Sequence, residues 1–322
     1  MAHDRNGRAF RGRRRVTTFA RPRVLVPVLA LSFVTALWGS TFFMSKGVVT
    51  RHDPLTMLAI RFGMAALVMW LVRPRCLRGL SRTTWLRALV LGSIYGVAQI
   101  PQYYGLRLTS ASEAGFLIGT YAAFTPVFAY LIFRARSSLP TLAGVLLALA
   151  GLAVFALQDW QFGLGESLLL TAAALYGLQI VALGAWSLPG QAWALTTIQM
   201  IAITVVVGVP ALVIGVDMPT SRVDWLVIAY LALVASALAI GVQTWAQSRL
   251  AATHAAVIMA AEPVWAAGLA VLFTAEVLTG RLLVGGAMLV IANVVVTLSP
   301  SRPVTPPVPA GRSPEEQFVR RE

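Results

Sequence analysis

Glu262 is the acid in this chain with the fewest ordinary explanations. It stands near the middle of a long apolar run, directly before Pro263. A carboxylate at hydrocarbon depth faces protein or water rather than lipid, and the proline frees a backbone carbonyl one turn earlier. Such an acid binds a cationic group, carries a proton, or acts as a neutral hydrogen-bonded strut, and the sequence leaves all three open. Arg61 is its cationic counterpart, about seven residues into an earlier run and so ~10 Å deep. Lys46, the only lysine of the chain, lies about four residues from the end of its own run, ~6 Å deep and within snorkelling reach of water. Together Lys46 and Arg61 form either a receptor for a carboxylate or phosphate or partners for Glu113. Lys46 serves equally well as an interface anchor.

Two helix faces extend this set. Tyr95, Gln99, Gln102 and Tyr103 fall at i, i+4, i+7 and i+8, which places them on one face. Ser236, Gln243 and Gln247 fall at i, i+7 and i+11, with Trp245 near them. Polar and aromatic stripes on apolar helices line a cavity or a helix contact. Trp38 lies some 15 residues from the start of its run, too deep for an interfacial belt, and supplies an aromatic wall. The chemistry these groups can do is recognition and proton exchange. The chain has no phosphate-binding G-x-x-x-x-G-K-[ST] loop, no H-E-x-x-H, no G-x-S-x-G and no Cys/His cluster, so neither an enzyme, a metal site nor a cofactor is expected. His3, His52 and His254 are none of them deep, and His254 reads as a solvated helix end. A single cysteine, Cys76, excludes an internal disulfide.

The elements that must position these groups are long and apolar. Of 322 residues 58% are hydrophobic and 12% charged, against about 25% charged in soluble proteins. Ten runs of transmembrane length follow one another: 24–48, 54–72, 86–106, 112–133, 139–157, 163–184, 191–215, 224–247, 253–274 and 280–298. The net charge of +14 is spread by side, with 20 arginines in the two tails and alternate connections and 4 (Arg51, Arg107, Arg222, Arg281) in the opposite connections. The positive-inside rule then puts both termini in the cytoplasm. That spread excludes a folded basic surface for nucleic acid. The Arg-rich start imitates a leader, but the apolar run after it is about twice the usual length and no A-x-A-like site ends it, so it is expected to be retained as the first helix. The tails 1–23 and 299–322, Arg-rich and Pro-rich, are expected to be disordered.

An internal repeat organises the runs. Ala36-Leu-Trp-Gly39 recurs as Ala174-Leu-Tyr-Gly177, Arg107-Leu108 as Arg249-Leu250, and Phe133-x-Ala135 as Phe273-x-Ala275, in order and at nearly constant offset. The fold class is thus an all-α polytopic membrane protein of ten transmembrane helices, as two five-helix repeats over 24–157 and 163–298. Five helices per half make the halves inverted in the membrane. That is the usual build of secondary transporters, with a site near mid-bilayer where the halves meet. Trp245 occupies the repeat position of Tyr103. Gly92-x-x-x-Gly96 and Gly115-x-x-x-Gly119 read as close packing within the bundle, with a homodimer as a minor alternative.

Three stretches carry a family resemblance. Ala36 to Lys46 with Pro54 and Arg61-Phe62-Gly63, Tyr104 to Ala114, and Ala261-Glu-Pro-Val264 with Phe273-Thr-Ala-Glu276 resemble the EamA type of the drug/metabolite transporter superfamily. The likeness covers about 24–298. The chain departs at Thr120-Tyr121-Ala122, where the family usually has proline next, and at Arg136, where the first repeat usually ends in glutamate. No kink or helix-end contact is therefore carried over to that helix. The resemblance implies a cell-membrane exporter of small organic solutes, amino acids or drug-like metabolites, working by alternating access at a central cavity. Its substrate-binding candidates are Trp38, Lys46, Arg61, Tyr95, Gln99, Tyr103, Gln243, Trp245 and Glu262, and Glu262 is also the candidate for proton coupling. The expected partners are a small-molecule substrate and the lipid bilayer. A non-transporting membrane sensor or scaffold is the alternative; it requires the polar faces to close on one another without a cavity.

Overall fold

The computed structural model describes residues 22–156, 163–265, 269 and 280–299. The tails up to 21 and from 300 on, the joint 157–162, and the repeat signature at Phe273–Glu276 lie outside the described residues. Twelve helices order the rest: α1 (Pro22–Val49), α2 (Pro54–Val72), α3 (Arg82–Leu108), α4 (Ala111–Gly119), α5 (Tyr121–Phe133), α6 (Leu139–Ala156), α7 (Leu164–Trp186), α8 (Ala192–Ile214), α9 (Arg222–Tyr230), α10 (Ala239–Gln247), α11 (Ala252–Met259) and α12 (Gly280–Leu298). A π-helical segment, Leu231–Leu238, joins α9 to α10. No strand occurs among the described residues.

Helix starts follow their local chemistry. Asp53 accepts from the Leu55 and Thr56 N–H groups and Pro54 opens α2, where a missing N–H costs nothing. Ser81 and Ser110 cap α3 and α4 by accepting from Thr84 N–H and Glu113 N–H. The run 112–133 is interrupted at Thr120, so that α4 ends and α5 begins there, six residues before Pro126. The interruption puts Tyr121 at the head of a new helix.

Six helical spans are long and apolar enough to cross a membrane: Leu25–Val49, Pro54–Val72, Glu113–Phe133, Leu164–Trp186, Ala192–Ile214 and Arg222–Gln247. The apolar helices Leu139–Val154 and Leu283–Leu298 are shorter. With 27 residues α3 is long enough, but it carries the polar stripe that begins at Tyr95. Leu212 and Val213 of α8 are 74% and 83% exposed, an outward apolar surface that water would not tolerate and a bilayer does. This is a multi-pass membrane protein.

Inside the bundle α3 lies against α7 and α8, α2 against α8, α5 against α7, and α6 against α12. Glycine makes the α3–α8 approach possible. A Cβ on Gly92 would sit 2.6 Å from the Gln199 carbonyl oxygen, and one on Gly96 would sit 3.1 Å from Val206. Gly115 and Gly119 are likewise used inward, against Phe42 and Leu152. The glycine pairs are therefore spent on internal contacts. Gly92→Ala is expected to destabilise by about 1–3 kcal/mol, because the added methyl meets backbone that cannot step aside. Gly241→Ala, with nothing within 4 Å, should leave stability unchanged. Thermal unfolding in detergent compares the two, and equal midpoints would remove the close-packing account.

Candidate functional site

A cavity of about 50 Å³ lies among the described helices. Its walls come from α1 (Trp38, Thr41), α2 (Arg61), α3 (Tyr95 to Tyr103), α4 and α5 (Ile118, Tyr121), α7 (Tyr176, Gln179, Ile180), α10 (Gln243), α11 (Met259) and Glu262 just beyond it. Seven of the nine residues expected at the site therefore meet in one space: Trp38, Arg61, Tyr95, Gln99, Tyr103, Gln243 and Glu262.

Arg61 is 3% exposed. Its Nε donates to Ser236 Oγ at 2.7 Å and its Nη1 donates to the Tyr103 hydroxyl. The guanidinium lies 4.9 Å from the Phe62 ring centroid, against whose face a cation is favourable. Pairing with Glu113 does not occur; among the described residues the hydrogen-bond partners of Arg61 are the two hydroxyls. Two of the five N–H groups of the fork are thus used, and among the described residues no carboxylate meets it. Glu262 is 5% exposed and has neither an ion pair nor a hydrogen bond from its carboxyl to any described residue. The cavity therefore holds an unmatched cation and an unmatched acid.

The rest of the lining is neutral, polar and aromatic. Gln99 Nε2 donates to the Tyr176 hydroxyl at 2.5 Å, and that hydroxyl donates to Gln102 Oε1. Tyr95 stands edge-on to Tyr176, ring centroids 5.2 Å apart, and to Phe62 at 6.2 Å. Gln99 Oε1, Gln179 Oε1, Gln243 Oε1 and the Tyr121 hydroxyl are buried in the lining without a protein partner among the described residues. Buried polar atoms are normally paired, so a ring of unpaired ones around a cavity is capacity for a ligand or for water.

The π-helical segment anchors this side of the site. Trp38 Nε1 donates to the Ala235 carbonyl at 2.9 Å, and Ser236, one residue on, receives Arg61. Ser40 Oγ and the Tyr230 hydroxyl, 2.8 Å apart, add a contact at its start. A π-helical turn departs from the i→i+4 ladder and is frequent at functional sites. Here it offers a carbonyl to the indole and a hydroxyl to the guanidinium from adjacent residues.

Two expected residues lie elsewhere. Lys46 Nζ donates to the carbonyls of Leu106 at 2.7 Å, Arg107 at 3.0 Å and Thr109 at 2.5 Å. It satisfies the otherwise orphaned end of α3 and meets the negative end of that helix dipole. A joint anion receptor with Arg61 is therefore not formed. Trp245 stands outside the cavity, in a groove with Val68, Met69 and Trp193, with the Arg249 guanidinium 4.4 Å over its ring. His254, expected in solvent, is 6% exposed with Nε2 3.3 Å from the Ser299 carbonyl oxygen. Sequence reasoning passed over Tyr176, although the repeat pairs it with Trp38 and both line the cavity. Among the described residues no group of three His, Cys, Asp or Glu is placed to hold a metal ion.

Comparison with known proteins agrees with this architecture. The EamA-like transporter family model matches residues 25–157 and again 163–298. An uncharacterized transporter of Archaeoglobus fulgidus is 27% identical over 271 residues, covering 84% of this chain and 85% of its own. A second uncharacterized transporter of that organism is 30% identical over 127 residues, covering 38% of this chain and 43% of its own. A solved crystal structure superposes with a TM-score of 0.69 at 19% identity, over 85% of this chain and 97% of the other, which is a likeness of fold. The chain belongs to the EamA-like transporter family and is a membrane transporter.

Proposed function

We propose that this protein exports small zwitterionic solutes of the amino-acid class across the cell membrane by alternating access at the central cavity. One observation carries the reading: Arg61 and Glu262, buried in the same cavity, are each without an opposite charge among the described residues. A buried unpaired cation costs several kcal/mol and a buried acid exchanges its proton for a cation, so the two in one cavity call for a ligand bearing both complements. The carboxylate of the solute takes the free part of the Arg61 fork, and its ammonium meets Glu262. Trp38, Tyr95 and Tyr176 cover the apolar remainder. When the ammonium leaves, a proton takes its place on Glu262, so that proton and solute alternate on one group and move in opposite directions.

The architecture proposed is ten crossings in two inverted halves, 24–157 and 163–298, with both termini cytoplasmic. Supporting it are the two separate stretches that the family model matches and the paired positions of Trp38 and Tyr176 on the cavity wall. Arg61 belongs to the first half and Glu262 to the second. Rocking one half against the other therefore changes the distance between the two charges, which a bound zwitterion spans. Flux in proteoliposomes, tested against a panel of amino acids and cationic dyes with and without a pH gradient, examines the reading. Zwitterion flux driven by the gradient supports it; flux of dyes alone, or none, overturns it.

A further inference from the structure

Where α1 hands over to α2 and α8 to α9, side chains that the cavity does not use tie the two connections together. The carboxylate of Asp224, 1% exposed, accepts from Arg51 on one oxygen and lies 3.2 Å from His52 Nε2 on the other. The other ring nitrogen, His52 Nδ1, lies 3.2 Å from Asp217 Oδ2. That same Asp217 oxygen accepts the Asp53 backbone N–H at 3.1 Å, and the Asp217 N–H donates to Thr56 Oγ1 at 3.2 Å. Asp53 in turn accepts from the Tyr104 hydroxyl of α3 at 3.1 Å while capping α2.

Both ring nitrogens of His52 thus face a carboxylate oxygen. A neutral imidazole has one N–H and one lone pair, so one of the two contacts would set lone pair against lone pair. Only the imidazolium donates to both aspartates, and it does so with charge-assisted bonds.

We propose that His52, Asp217 and Asp224 form a proton-operated latch, which holds the α1–α2 connection of the first half against the α8–α9 connection of the second and whose release opens the cavity toward that face. The idea rests on the alternating-access reading above. Facing His52 are Asp217 and Asp224 from the second half, Arg51 and Asp53 from its own connection, and Tyr104 from α3 through Asp53. Arg51 keeps its charge throughout, so the Arg51–Asp224 pair persists as the pivot at the start of α9, and the Asp217 segment of the α8–α9 connection is the arm that swings away from His52. The sign follows from the count of protons. The latched form holds one that the released form gives up, so lowering the pH favours the latch and raising it favours release. With both termini cytoplasmic this face is external, and an acid medium keeps it shut.

Spin labels on the two connections test the latch without needing the solute. A chain carrying Cys76→Ser, Thr50→Cys and Met218→Cys bears one label on each, and pulsed dipolar spectroscopy in nanodiscs reads the distance between them at pH 5, 6.5 and 8. A single short distance is expected at pH 5, with the ratio of long to short populations rising about tenfold by pH 8. His52→Gln should abolish that response. Asp217→Asn, on a half-exposed side chain, should do the same and decides the matter if His52→Gln fails to fold. A wild-type distribution unchanged from pH 5 to 8, or an equal response in either variant, overturns the latch. Zwitterion flux measured alongside separates the two readings. Responsive distances without flux remove the transport proposal and keep the latch, and flux with unresponsive distances removes the latch alone.

Discussion

Replacing Arg61 with methionine should sharply weaken zwitterion transport while leaving the chain as stable as before, or more so. The two halves of that outcome have one cause. In the folded protein Arg61 is a buried guanidinium held by two hydroxyls and by no carboxylate among the described residues. Burying a charge without its complement costs several kcal/mol, and an apolar side chain of similar length removes that cost. For the bound solute the same charge is the complement of a carboxylate. Losing a desolvated Arg–carboxylate pair costs about 2–4 kcal/mol, or roughly 30- to 1000-fold in affinity. Arg61→Lys keeps the charge but not the two-pronged geometry and should recover a part of the flux. Ser236→Ala removes one anchor of the fork and should raise the half-saturating solute concentration by less than Arg61→Met does. Transport kinetics and thermal unfolding on the same preparations read both effects. A methionine variant with unaltered half-saturation removes Arg61 from the binding site.

The second large effect belongs to Glu262→Gln. Glutamine keeps the shape and hydrogen-bonding reach of the side chain and removes both its charge and its titration. Zwitterion affinity should fall about 10- to 100-fold, the worth of one charge-assisted bond to an ammonium. More diagnostic is the loss of coupling: the remaining flux should run downhill only, at a rate indifferent to an imposed pH gradient. A solute lacking the ammonium should be transported equally by both forms. Gradient-driven uptake by Glu262→Gln at the wild-type rate would take the proton away from this residue. The pair of variants also separates the two charges, since Arg61→Met should leave any residual flux sensitive to the gradient.

The cavity was legible in the sequence to the extent that helical periodicity reports a shared face. Tyr95, Gln99, Gln102 and Tyr103 were grouped by spacing alone, and all four line it. Glu262 and Arg61 were legible for a different reason, because charge at membrane depth has few acceptable locations. Periodicity does not report where a helix is irregular. No residue type in Leu231–Leu238 announces a π-helical segment, although Ser236, grouped by spacing with Gln243, does reach Arg61. Trp245 shows the limit of the repeat, since its equivalence to Tyr103 holds in sequence while only Tyr103 reaches the cavity. Lys46 was misplaced because its partners are backbone carbonyls, which every residue possesses and no sequence displays. The clamp around His52 was unreadable for a related reason. It joins residues more than 160 positions apart, on connections whose polar composition is what any loop would show.

The arrangement at the end of α3 also decides how this protein can be handled. An ammonium has three protons, and in Lys46 each has a carbonyl to go to. With all three protons held by carbonyls, the amine of the one lysine of the chain is hindered toward acylating and reductive-alkylating reagents for as long as α1 and α3 stay together. Amine chemistry on the folded bundle consequently finds its one lysine already engaged. Dyes, tethers and cross-linkers have to be directed instead to Cys76, the single thiol, half-exposed in the connection that follows α2.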